Sequence, residues 1–134
     1  MKLLLMALFA CITLTVKSQT ADSLRRDTTV YNEQSVAIKP QFPGGENKLS
    51  IFLTKTIRYP AHAREHNIQG KVMVSFIVEK DGTLTHFKIT KTVADDLDAE
   101  TIRVFKLSPK WEPAKINRQP VRSLHIQPCS YTLG

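Results

Sequence analysis

Between residues 71 and 79 apolar and polar side chains alternate, with Val72, Val74, Phe76 and Val78 on one face and Lys71, Met73, Ser75 and Glu79 on the other. A period of two is the mark of a half-buried strand. Asp81-Gly82 follows; this pair accepts positive φ and predicts a tight hairpin into a second strand over 83–92. The apolar phase slips between Leu84 and the Phe87/Ile89 pair. An odd-spaced slip predicts a bulge near Thr85 and His86. A last strand is expected over 121–133. Pro128 inside it removes one ladder donor, which suits a sheet edge or a bulge and not a central position.

Helical spacing surrounds these strands. Pro40-Gln41-Phe42-Pro43-Gly44-Gly45 can continue neither helix nor strand, and it marks the start of the domain. Over 46–55, Leu49, Phe52 and Leu53 share one helical face, with Glu46 near the positive end. Tyr59-Pro60 breaks that helix. A second helical turn is expected with Pro60 in its first position and Ala61 and Ala63 toward the core, closed by Ile68-Gln69-Gly70. Asp95 or Asp96 is expected to cap a further helix that runs to Leu107, with Ala99, Ile102 and Phe105 at spacings of three and Pro109 ending it. The fold class expected is α+β: a small antiparallel three-stranded sheet with helices on one face, in the order helix, strand, strand, helix, strand. The open edges of such a sheet can accept an extended peptide as one more strand.

At 134 residues the chain has room for one domain with a core. Residues 1–18 read as a leader, with Lys2 at its start, an apolar run over 3–16 and Val16-Lys17-Ser18 before the expected cleavage. Two rival fates are open: an uncleaved membrane anchor, for which the run is short, and acylation at Cys11 after Leu8-Phe9-Ala10. Residues 19–40 are polar and aperiodic and read as a flexible tether, with the domain over 41–134. Lys and Arg number 19 against 12 Asp and Glu, a formal charge of +7; losing Lys2 and Lys17 with the leader lowers it by two. The basic residues are scattered and no aromatic ladder accompanies them, so nucleic acid is not an expected partner.

Candidate chemistry is sparse. His62 and His66 stand four apart with Glu65 between them, a spacing that could share a metal, but no third ligand is evident and the order is not HExxH. Solvent-exposed histidines and no metal are expected. Asp95, Asp96, Asp98 and Glu100 suit a helix N-terminus better than a catalytic pair or a calcium loop. There is no GxSxG, no oriented Cys/His pair and no phosphate-binding glycine loop. Neither catalysis nor a cofactor is expected. Trp111 reads as the plug of a small core, and Cys129 as a small core residue.

The ordered set Phe42-Pro43-Gly44-Gly45, Tyr59-Pro60 with Ala61 and Ala63, Ile68-Gln69-Gly70, the Val72 to Val78 strand, Asp81-Gly82, Leu97-Asp98-Ala99, Pro109-Lys110-Trp111-Glu112-Pro113 and Pro120-Val121 resembles the C-terminal domain of TonB energy transducers. The resemblance covers residues 41–133. It implies a periplasmic domain that grips TonB-dependent outer-membrane receptors by adding a short receptor segment, the TonB box, to its sheet edge. Carried over, that edge is Val121, Ser123, His125 and Gln127, and the neighbouring contact is Arg58, Tyr59 and Pro60. Inner-membrane motor proteins are further partners if the leader stays uncleaved, and a homodimer through the last strand is a hypothesis. The chain departs from the family in its short leader, in a tether that spans only ~25 Å as a random coil, and in having Asn117-Arg118-Gln119 where a glycine often precedes the final strand. The alternative expected function is a structural, self-associating envelope module without energy coupling.

Overall fold

The strand predicted from the strictest alternation sits in the middle of the sheet. A computed structural model describes residues 28–134; the leader, its fate and the first part of the expected tether, 19–27, lie outside the described residues. The elements run β1 (Val30–Asn32), a 3-10 turn (Glu33–Ser35), α1 (Glu46–Thr56), α2 (Ala61–Glu65), β2 (Gly70–Val78), β3 (Leu84–Lys91), α3 (Asp95–Lys106), β4 (Ala114–Ile116) and β5 (Gln119–Tyr131). The sheet order is β1-β5-β2-β3, with β4 paired to β5. The antiparallel core of β3, β2 and β5 is the expected three-stranded sheet. Two three-residue strands, β1 and β4, are added to it.

Val72, Val74, Phe76 and Val78 are fully buried, and with Leu97, Phe105, Trp111, Cys129 and Tyr131 they form the main core. Phe76 lies at its centre, 5.4 Å from the ring of Phe105 and 5.3 Å from that of Trp111. Trp111 is the expected plug, with its indole N–H donating to Ser108 Oγ at 2.9 Å. Ser75 and Ile77, on the other face of β2, are buried as well because neighbours flank the strand on both sides.

The hairpin turn lies where Asp81-Gly82 predicts it. Gly82 has φ +91°, its N–H donates to Glu79 O and its carbonyl accepts from Trp111 N–H. The slip in β3 is a bulge: Ser75 pairs with Lys88 and Ile77 with Thr85, so two residues oppose Phe76, and His86 adopts φ +56°.

Several local expectations are corrected. The N-cap of α3 is Ala94, and neither Asp95 nor Asp96 caps it. Asp98 does the reaching back, accepting from Val93 N–H and the Thr92 hydroxyl. The buried face of α3 is Leu97, Thr101, Val104 and Phe105, with Glu100 beside it; Ala99 is exposed. Steps of three drift around a helix of 3.6 residues per turn, whereas 97, 101, 104 and 105 stay on one stripe. Pro60 precedes α2 as its N-cap with extended ψ, and only Ala63 enters the core, since residues two apart on a helix face apart.

The largest difference lies at the chain's start. Residues 30–38, read as tether, are folded onto the domain: Val30, Tyr31 and Asn32 pair in parallel with Arg122, Ser123 and Leu124. Tyr31 and Val36 supply the apolar anchors, packing with Ala114, Ile116 and Val121 in a second small core. β4 exists because Asn117 and Arg118 both take positive φ, +50° and +67°, a two-residue hairpin turn into β5.

Candidate functional site

β5 is thirteen residues long and has two sides. Toward the sheet it pairs with β2 from Ser123 to Tyr131. On its outer side, opposite β2, β1 takes 122–124, while β4 pairs with 119–121 at the start of the strand. Among the described residues nothing pairs with the outer side of 125–131. That stretch exposes backbone donors and acceptors, less the N–H that Pro128 lacks.

α1 runs beside this edge without closing on it. The cleft between them is about 810 Å³, with Leu49, Leu53, Ile57, Tyr59 and Arg64 facing β5 residues 125–131. At the His125 end a smaller hollow of about 280 Å³ continues it, lined by Phe42, Leu49, Trp111, Glu33 and Glu46. The two spaces share Glu46, Leu49, His125 and Gln127.

The residues carried over from the family pattern are only partly brought together. His125, Gln127 and Tyr59 line the cleft. The His125 ring is half-buried; Nδ1 lies 3.0 Å from Glu33 Oε2 and Nε2 2.9 Å from Gln127 Oε1. Tyr59 is fixed by its hydroxyl, which donates to Ile68 O, and by an edge contact to Tyr131 at 5.7 Å. The Arg64 guanidinium stands 6.0 Å from the Tyr59 ring, a distance that suits cation–π attraction. Val121 and Ser123 are buried further along β5, next to Ala114 and Tyr31. Arg58 and Pro60 do not line the cleft. Arg58 instead donates its backbone N–H to Glu100 Oε2 at 2.7 Å.

Leu49, Leu53, Glu46 and Arg64 complete the cleft; the sequence pattern gives the first three a place on the helix and none of the four a binding role. The i, i+4 spacing of Leu49 and Leu53 was read as packing, which it also is. What the pattern lacked was any sign that α1 stands off the strand.

Two carboxylates brace the scaffold. Glu100 is buried and accepts from Arg103 Nε and Nη2, each at 2.7 Å, and from the Arg58 amide. Burial pushes its pKa up, but the Arg103 guanidinium and the Arg58 amide outweigh that, and the carboxyl lies below its ordinary range. Glu79 is lowered by its hydrogen bond to Arg122, against the opposing effect of burial, with a further bond from Thr85. His62 and His66 are exposed and stacked at 4.3 Å, with His62 Nδ1 3.5 Å from Asp96. Among the described residues no group of three His, Cys, Asp or Glu is arranged to hold a metal ion. No described helix is long and apolar enough to cross a membrane.

A mixed sheet backed by helices, with one long strand partly open beside a cleft, defines an α+β module with an available edge. The model of the family described as the Gram-negative bacterial TonB protein C-terminal domain matches residues 55–133, and the chain belongs to that family. Two curated relatives, the TonB proteins of two Helicobacter pylori strains, are each 29% identical over 97 residues. These matches span 68% of this chain and 32% or 33% of the relatives, so the chain covers about a third of their length. The solution structure of the Helicobacter pylori TonB C-terminal domain is 27% identical, with a TM-score of 0.50, and the match covers 69% of this chain and 87% of that one.

Proposed function

We propose that this domain docks on TonB-dependent outer-membrane transporters in the periplasm by strand addition. In this reading the receptor's TonB box lies along β5 beside residues 125–131. The observation that carries it is this stretch of edge, facing a cleft of about 810 Å³. Backbone pairing supplies affinity with little demand on sequence, while alternate side chains of the guest meet Leu49, Leu53 and Tyr59 on the cleft side. The module is a binding domain and carries out no catalysis. Its place is the cell envelope, reached through the N-terminal leader, and it serves energy transduction or acts as an adaptor.

Calorimetric titration with a TonB-box peptide tests this. Replacing single peptide residues by proline is expected to abolish binding, whereas conservative side-chain changes weaken it mildly. Binding indifferent to proline would rule out strand addition. The choice between transducer and adaptor follows from the N-terminus of the protein recovered from its native envelope. Met1 retained in the inner membrane supports coupling to motor proteins; a start at Gln19 in the soluble periplasm supports an adaptor.

A second reading is self-association without a receptor. Val30, Leu124 and Ile126 favour it, since they expose apolar surface at 41%, 41% and 47%. A molecular mass that stays monomeric across concentrations would exclude it.

A further inference from the structure

The outer side of β5 immediately before the stretch assigned to the incoming strand is occupied by the chain itself. β1 holds the positions beside Arg122, Ser123 and Leu124, and the 3-10 turn after it leaves the line of the sheet at His125, where Glu33 bonds the imidazole. A guest strand on 125–131 therefore runs into residues 32–33. The guest cannot extend along β5 past His125 unless β1 leaves.

β1 is built to leave. It contributes three ladder pairs and a bond from Arg122 Nη1 to Thr28 O, Val30 and Asn32 are exposed, and its apolar seat among the described residues is the small cluster of Tyr31 and Val36 with Ala114, Ile116 and Val121. The seam beneath it is imperfect: the Ser123 hydroxyl is fully buried there without a hydrogen-bond partner, a cost that uncovering would remove. Beyond the seam the chain is tied down separately. Ile38 and Lys115 exchange backbone hydrogen bonds, as do Gln41 and Glu112, so this part of the chain is held by β4 and the loop before it and not by the 122–124 stretch that β1 covers. Residues 28–36 can therefore swing off the edge while 38–41 stay anchored.

We propose that residues 28–36 are a displaceable latch on the docking edge: β1 covers β5 at 122–124 in the free chain and gives way to the incoming strand. This rests on the docking reading. It makes β1 a competitor that shortens the available edge until a guest strand offers more backbone pairs than the three it displaces. Because the latch is continuous with the N-terminal segment, whatever pulls on or binds that segment also bares the edge.

A staple in the full chain tests this. Asn32 and Leu124 are register partners, both exposed, so Asn32→Cys with Leu124→Cys, in a Cys11→Ser background, locks β1 down when oxidised. The oxidised form is expected to bind a synthetic TonB-box peptide at least about ten-fold more weakly than the reduced form. Tyr31→Asp, which spoils the seat, is expected to bind several-fold more tightly than the parent, and peptide should speed amide exchange at Val30 to Asn32. Equal affinity of the oxidised and reduced forms would overturn the latch and leave docking intact. If the parent, the reduced form and Tyr31→Asp all fail to bind, the docking reading itself falls and the latch with it.

Discussion

The hydroxyl of Tyr131 lies 2.9 Å from Thr101 Oγ1, and Thr101 in turn donates to the carbonyl of Leu97 at 2.8 Å. With the threonine proton spent on Leu97, the tyrosine must be the donor, so the end of β5 is tied to α3 by a directed chain of two bonds. Burial raises the Tyr131 phenol well above its ordinary range, so it stays a donor at any working pH. Tyr131→Phe is expected to cost about 1 kcal/mol, and Thr101→Val about 1–3 kcal/mol because it strands the buried phenol. Urea unfolding of both variants checks the order. Equal losses would break the directed chain.

Acid should loosen the scaffold through Glu100 and Glu79. Both carboxyls lie below the ordinary value of 4.5 in the folded chain. A depressed folded pKa gives stability that is present above the unfolded value and lost as pH falls through the folded one. The melting temperature is therefore expected to hold down to about pH 5 and to fall steeply below about pH 4. Glu100→Gln should cost about 1–3 kcal/mol at neutral pH and flatten the acid limb. An acid limb unchanged in that variant would assign the loss to other groups.

Gly82 has no room for a side chain. A Cβ there would stand 2.1 Å from the carbonyl oxygen of Trp111, at a backbone φ of +91°. Gly82→Ala is expected to destabilise by at least about 2 kcal/mol and to alter Trp111 fluorescence. Neutral behaviour would mean that the turn and the Trp111 loop are not in contact.

Cys129 should be chemically silent. Its side chain is 1% exposed and burial raises the thiol pKa, against weaker opposing bonds from Tyr131 and Thr101. Alkylation followed by peptide mass analysis is expected to leave Cys129 unmodified in the native protein and to label it fully in denaturant. Labelling at native rates would show that the end of β5 opens readily.

The sequence carried the sheet's core because its signals are local. The Val72 to Val78 alternation, the Asp81-Gly82 turn and the phase slip near Thr85 and His86 each report a nearby constraint, and each is found in place. The register of α3 was missed because Ala99 and Ile102 are apolar without being core, while the stripe that packs includes Thr101, a polar residue satisfied by Leu97 and Tyr131. β1 was invisible for another reason: Val30 to Asn32 has no periodicity of its own, and it becomes a strand only because β5 offers a ladder and Val121 with Ala114 a seat for Tyr31. The cleft was half legible. His125, Gln127 and Tyr59 were named from the family pattern, whereas the stand-off of α1 depends on packing that no short motif encodes.

The most direct test of the docking account is an amide chemical-shift map of the labelled protein titrated with a TonB-box peptide. Perturbations are expected along β5 from 125 to 131, at Tyr59 and on the Leu49 and Leu53 face of α1, with β3 unmoved. Perturbations centred on β3, or on the outer face around Met73 and Lys88 with β5 silent, would contradict it.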